Sequence, residues 1–95
     1  MKIESFSHKG LKRLYSEDRA KGLPAESVAK LRNMLAFLQD MNDVEELLAP
    51  PKWKAHKLTG DRAGTWALHV TANWRLTFWV DGENAIRDVD LEDYH

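Results

Sequence analysis

The stretch Thr65-Trp66-Ala67-Leu68-His69-Val70-Thr71-Ala72-Asn73-Trp74-Arg75-Leu76-Thr77-Phe78-Trp79-Val80 decides the fold. Its apolar residues recur at every second position on both sides of Thr71-Ala72-Asn73, the pattern of two strands with one buried face each. If those three residues form the loop, Val70 faces Trp74, Leu68 faces Leu76 and Trp66 faces Phe78, and all six share one face. A two-residue loop would put the two apolar rows on opposite faces, which burial forbids. The other face then carries Thr65, Ala67 and His69 against Thr77 and Arg75, with His69 directly across from Arg75.

Working outward, Trp53–Thr59 and Ala85–Leu91 read as two further strands. The connections Gly60-Asp61-Arg62-Ala63-Gly64 and Asp81-Gly82-Glu83-Asn84 are short, so sequential strands should be antiparallel neighbours. Parity carried over the Asp81-Gly82 turn expects Ile86, Asp88 and Asp90 on the face of Arg75, where Asp88 or Asp90 would pair with it. On the first strand, Ala55, Lys57 and Thr59 share one face, and Lys54, His56 and Leu58 the other.

The preceding half is helical. Ile3, Ser5 and Phe6 suit a short opening strand before His8. From Lys9 to Ala20, Leu11, Leu14 and Tyr15 make one apolar stripe, and Lys21-Gly22-Leu23-Pro24 stops the helix and restarts the next. From Ala25 to Met41, Val28, Leu31, Leu35 and Leu38 recur at three- and four-residue steps. Asn42 or Asp43 caps a short turn through Glu45 and Leu48, and Pro50-Pro51 ends all helix. Helices first and strands second give an α+β fold, with two N-terminal helices packed on one face of an antiparallel sheet.

The whole chain has 95 residues, of which 43% are hydrophobic and 31% charged, which fits one folded domain spanning residues 1–95. It contains no cysteine, which excludes disulfides, thiolate zinc sites and thiol nucleophiles. No apolar run approaches the ~20 residues of a membrane span, and the N-terminus lacks the apolar core of a signal peptide, so a cytoplasmic protein without a membrane partner is expected. The net charge is −1, but it is unevenly spread: +4 over residues 1–33, −4 over 34–51, +4 over 52–80 and −5 over 81–95. A basic central segment can grip phosphates locally, weakened by the acidic tail beside it.

No glycine-rich phosphate loop or metalloprotease motif is present, and the four histidines lack metal-ligand spacing, so neither a metal nor a cofactor is expected. The polar residues of the sheet half are more informative. Lys57, Arg62, His69, Arg75, Tyr94 and His95 can converge on the open face. Such a cluster offers what RNA cleavage needs: a group to take the proton from a ribose 2′-OH, cations for the phosphorane, and a group to protonate the leaving 5′-oxygen. Arg75 on a central strand suits two phosphate oxygens at once. Plain alternatives stand beside this: a cross-strand ion pair for Arg75, a solvated turn for Arg62, and edge packing for Trp79.

The string His56-Lys57-Leu58-Thr59-Gly60-Asp61-Arg62-Ala63-Gly64-Thr65-Trp66, the strand Asn73-Trp74-Arg75-Leu76-Thr77-Phe78, the ending Glu92-Asp93-Tyr94-His95 and the opening Phe6-Ser7-His8-Lys9-Gly10-Leu11-Lys12 together resemble HigB-type toxins of the RelE/ParE superfamily, nearly end to end. The resemblance implies that superfamily's fold and ribosome-dependent cleavage of mRNA in the decoding site, through 2′-OH attack giving a 2′,3′-cyclic phosphate. It also implies a HigA-type helix-turn-helix antitoxin as partner, with DNA engaged only through that antitoxin.

Carried over by position, Arg75 would hold the scissile phosphate and His95 would transfer the proton. Tyr94, Asp93 and His56 would shape the site, and Arg62 would contact ribosomal RNA or mRNA phosphate, with Lys54 and His69 as further RNA contacts. Relatives commonly carry lysine where Thr59 stands, and several carry a basic residue at Thr71. Lys57, two residues before Thr59 and on its face by strand parity, is the candidate replacement, displaced by nearly 7 Å at ~3.3 Å per residue. Two other readings share the fold: a ParE-like toxin that inhibits gyrase without nuclease chemistry, and an attenuated toxin acting mainly in a regulatory complex with its antitoxin.

Overall fold

His8 starts the first helix through its side chain, whose Nδ1 accepts from the Leu11 amide at 3.2 Å. In the computed structural model, which describes residues 1–94, helix α1 spans Lys9–Glu17 and buries Leu11 and Leu14. It ends three residues before the expected Ala20, because Asp18 adopts a left-handed conformation (φ 55°). The Asp18 and Arg19 amides there satisfy the Leu14 and Arg13 carbonyls. The Asp18 carboxylate is also held by Arg32 of the second helix at 2.9 Å, which fixes the turn.

A 3₁₀ turn at Ala25–Ser27 leads into helix α2, Val28–Asp40, whose Leu31, Met34, Leu35 and Leu38 are buried. Asp43 then caps the 3₁₀ turn Val44–Leu48 in a reciprocal capping box with Glu46. Pro51–Trp53 forms another 3₁₀ turn instead of opening a strand, and Lys54 follows at φ 47°. Strand β1 is therefore only His56–Lys57, shorter than the expected Trp53–Thr59. Proline at the head of that segment favours a helical turn and withholds an amide from any ladder.

Strands β2 (Trp66–His69), β3 (Trp74–Val80) and β4 (Ile86–Asp93) complete a four-stranded antiparallel sheet in the order β1-β2-β3-β4. The central register is the one the apolar rows require: Trp66 opposite Phe78, Leu68 opposite Leu76, His69 opposite Arg75. Those four apolar residues join Ile86, Val89 and Leu91 and the buried faces of both helices in one core, so the helices cover one side of the sheet. The opening segment lies parallel to β4, bridging Ile3 to Ile86 and Phe6 to Val89. It thereby covers an edge that would otherwise expose unpaired backbone. Among the described residues no helix is long and apolar enough to cross a membrane.

The last strand departs from simple alternation. A bulge falls between the pairs Thr77–Asp90 and Trp79–Arg87, with Asp88 left-handed at φ 55°. One extra residue resets the parity. Ile86 faces Val80 and is fully buried, not on the face of Arg75 as expected, because the turn between β3 and β4 is one residue longer than expected. The bulge then returns Asp90 to that face opposite Thr77 and puts Glu92 opposite Arg75.

Candidate active site

The face of the sheet away from the helices carries Arg75, Thr77 and Trp79 in a row on β3, because residues two apart on a strand point the same way. Arg75 is oriented by backbone oxygens: its Nη1 donates to the Thr71 carbonyl at 2.6 Å and the Trp74 carbonyl at 3.0 Å. The Tyr94 ring lies over the guanidinium, 5.1 Å from centroid to carbon. Tyr94 is itself held by its amide, which donates to the Asn73 carbonyl at 2.6 Å. None of the ion pairs among the described residues involves Arg75. The expected pairing with Asp88 or Asp90 is not made, since the bulge places Glu92 opposite and Glu92 turns to another partner.

That partner is Arg62. Its Nη1 donates to Glu92 Oε1 at 2.8 Å and its Nη2 to Oε2, a bidentate fork. Thr77 Oγ1 donates to the same Oε2 at 2.5 Å. The Arg62 hydrogen bond holds the Glu92 carboxyl below its ordinary value, and Glu92 in turn raises Arg62. The pair spans from the loop before β2 to β4 across the middle of the face. Beneath it Ala67 and Thr77 are 1% and 2% exposed, so the centre of this face is covered.

His69 sits directly across from Arg75 and is half-buried. Burial, and then the charges of Arg75, Lys30 and Lys54, push its pKa below the ordinary 6.5, so it is neutral at neutral pH. Lys30 reaches this corner from α2, its Nζ donating to the Val70 carbonyl at 2.8 Å. The sequence reading missed Lys30, because only the docking of α2 brings it to the end of β2.

His56 pairs with Ala67 and so shares the face of Arg75. By strand spacing its Cα lies roughly 12 Å from that of Arg75, two strands across and two residues along. Its Nδ1 meets the Lys54 carbonyl at 2.9 Å. A carbonyl only accepts, so Nδ1 carries a hydrogen and Nε2 is the ring nitrogen left facing away from the backbone. Lys57 is a correction to the sequence reading. It pairs with the core residue Trp66, and its Nζ lies over the Trp66 ring at 5.6 Å, on the opposite face from Arg75. One step of strand parity separates it from His56, which removes it as a replacement for the lysine absent at Thr59. Asp93 pairs with Trp74 and by register also belongs to the helix side. His95, assigned proton transfer from the sequence, lies outside the described residues.

The site is therefore polarised. Arg75, Lys30, Lys54 and neutral His69 form a cationic corner suited to a phosphate. Beyond the Arg62–Glu92 bridge, Asp88 and Asp90 line a cleft of about 200 Å³ with Thr77 and Trp79. Among the described residues no group of three or more His, Asp or Glu side chains is arranged to hold a metal ion. Arginine, imidazoles and a tyrosine can together stabilise an oxyanion and move protons.

The chain is similar to known toxins over nearly its whole length. The family model described as the RelE-like toxin of the type II toxin–antitoxin system HigB matches residues 4–95. The chain is 39% identical over 94 residues to endoribonuclease HigB of Proteus vulgaris, covering 98% of this chain and 99% of that one. Among solved structures, a YoeB/ParE toxin from Agrobacterium tumefaciens superposes with a TM-score of 0.63 at 19% identity, over 100% of both chains. YafQ from E. coli superposes with a TM-score of 0.55 at 14% identity, over 97% of this chain and 93% of that one. At those identities the two structures speak for the fold alone, which is the same two helices on an antiparallel sheet. With the family match running nearly end to end, this chain belongs to the HigB-like toxins, the RelE-like toxins of type II toxin–antitoxin systems.

Proposed function

We propose that this chain is an endoribonuclease that cleaves mRNA on the ribosome, within the decoding site, and is neutralised by a HigA-type helix-turn-helix antitoxin. The observation that carries the chemistry is Arg75: a guanidinium fixed by the Thr71 and Trp74 carbonyls and the Tyr94 ring, without a carboxylate partner among the described ion pairs. A fixed cation of this kind stabilises charge that develops in the transition state without reorganising at that moment.

In the proposed reaction a base takes the proton from the ribose 2′-OH, and the O2′ attacks the adjacent phosphorus. Arg75 neutralises the equatorial oxygens of the phosphorane. The P–O5′ bond then breaks, an acid protonates the leaving O5′, and the products are a 2′,3′-cyclic phosphate and a 5′-hydroxyl. His56, presenting Nε2, and His95 are the two proton-transfer candidates. Dependence on the ribosome fits the separation of His56 from Arg75, since a bound and bent mRNA would bring its own 2′-OH between them.

Primer extension on a defined mRNA programmed into ribosomes tests the reading, with wild type, His56→Ala and His95→Ala side by side. A cut within the decoding-site codon, present for wild type and lost in either variant, is expected. Growth arrest on expression with no cut would move the target off mRNA and make gyrase the next assay. The attenuated reading draws on one observation, that Glu92 occupies the Arg62 guanidinium. It predicts neither cut nor arrest.

A further inference from the structure

Trp79 is 40% exposed, on the same face and strand as Arg75. Its indole is not loose: Nε1 donates to Asp88 Oδ2 at 2.7 Å. Asp88 is fixed in turn at the bulge, where its amide donates to Ser5 Oγ at 2.9 Å. A large, partly exposed aromatic ring anchored at its polar edge leaves apolar ring surface for a planar partner. The cleft of about 200 Å³ beside it is lined by Trp79, Thr77, Arg62 and the carboxylates Asp88, Asp90 and Glu92.

The charge of this cleft selects what enters. Glu92 is neutralised by Arg62, Asp88 is engaged by Trp79 and Ser5, and Asp90 has Oδ1 on the Leu91 amide. The remaining negative charge repels a phosphate, which the Arg75 corner attracts. A carboxylate beside an aromatic face suits instead a nucleobase that stacks on the ring and donates an amino group, as adenine and cytosine do and uracil does not. Arg75 and Trp79 are four residues apart on β3, about 13 Å. A phosphate at the first and a base at the second therefore belong to neighbouring nucleotides of one strand.

We propose that Trp79 and Asp90 form a base-recognition subsite for a nucleotide flanking the cleavage point, with Trp79 as the stacking platform and Asp90 selecting an amino-bearing base. This rests on the nuclease reading above, and it adds to that reading a source of sequence preference set by the toxin itself.

The test is binding of fluorescently labelled, 2′-O-methylated single-stranded oligonucleotides, which the 2′-OH mechanism cannot cleave, to the full chain at fixed salt. Homopolymers of adenine, cytosine and uracil are compared. Trp79→Ala is expected to weaken adenine and cytosine binding about tenfold or more, and Trp79→Phe to keep most of it. The salt dependence should stay unchanged in Trp79→Ala, because no phosphate contact is lost, whereas Arg75→Ala should flatten it. Asp90→Asn is expected to erase the preference over uracil. Wild-type affinity in Trp79→Ala, with Arg75→Ala still weakened, overturns the subsite and leaves the nuclease reading intact. Absence of binding by wild type also overturns it, and the ribosome cleavage assay then judges the nuclease reading separately. Loss of antitoxin binding in Trp79→Ala with RNA affinity retained would assign the cleft to a protein side chain and overturn the proposal.

Discussion

Arg62 and Glu92 stand thirty residues apart in the chain and meet as a bidentate fork over the open face of the sheet. The pair lies across the centre of the face that would receive RNA, so the cation expected to contact phosphate is already matched by an acid from the protein's own last strand. Arg62 is 46% and Glu92 23% exposed at the side chain, and exposure of that order keeps the bridge exchangeable.

Glu92→Gln should therefore tighten RNA binding. The amide cannot neutralise Arg62, and the freed guanidinium takes up one more phosphate, steepening the salt dependence by about 0.7 in log–log slope. Titration of a single-stranded RNA at several salt concentrations checks this. An unchanged slope would mean that Arg62 holds the loop and does not reach RNA.

The same pair sets an acid limit to stability. Because the Glu92 pKa is depressed in the folded state, the unfolded chain binds a proton first as pH falls. The pair's contribution is present above the ordinary value of 4.5 and is lost as pH drops below it through the folded pKa. Melting temperature followed from pH 6 downward should fall less steeply for Glu92→Gln than for wild type.

Arg75→Ala should reduce cleavage on the ribosome about a hundredfold or more while leaving the fold intact, since Arg75 lies off the core face. Primer extension and circular dichroism on the same preparation separate the two effects. An unfolded variant would show that the capped Thr71 and Trp74 carbonyls need the guanidinium for the hairpin to form.

His69 reports on the cationic corner. Burial first, and Arg75 next, lower its pKa from 6.5, so removing Arg75 should move the titration back upward. Ring-proton NMR of wild type and Arg75→Ala measures it. The unfolded chain again binds the proton first, so His69 lowers stability as pH falls below 6.5 toward its folded pKa, and His69→Gln should remove that component.

Gly10→Ala should destabilise the chain by about 1 kcal/mol, the usual worth of a helix N-cap. A Cβ at residue 10 would come within 2.8 Å of His8 Cε1, so the ring that caps Leu11 must swing away. A thermal melt checks this. A wild-type melting point would mean that the His8 ring finds another way to cap.

The sequence alone determined the sheet register around Thr71-Ala72-Asn73, because one misplaced residue would have turned Leu68, Leu76 and Phe78 out to water. The same constraint placed His69 across from Arg75 on the open face. It also settled the two helices and the α+β order, through the three- and four-residue spacing of Leu31, Leu35 and Leu38. What it could not decide were features set by contacts distant in the chain. The left-handed stop at Asp18 answers to Arg32 on another helix. The bulge at Asp88 is held by Ser5 from the other end of the chain, and together with a turn one residue longer than expected it set Glu92 opposite Arg75. Strand parity is local only while every residue is paired, so one unpaired residue reverses each assignment behind it. The site's charge pattern was hidden for the same reason: Lys30 arrives with a docked helix, and Arg62 is answered by a carboxylate that only the folded sheet brings within reach.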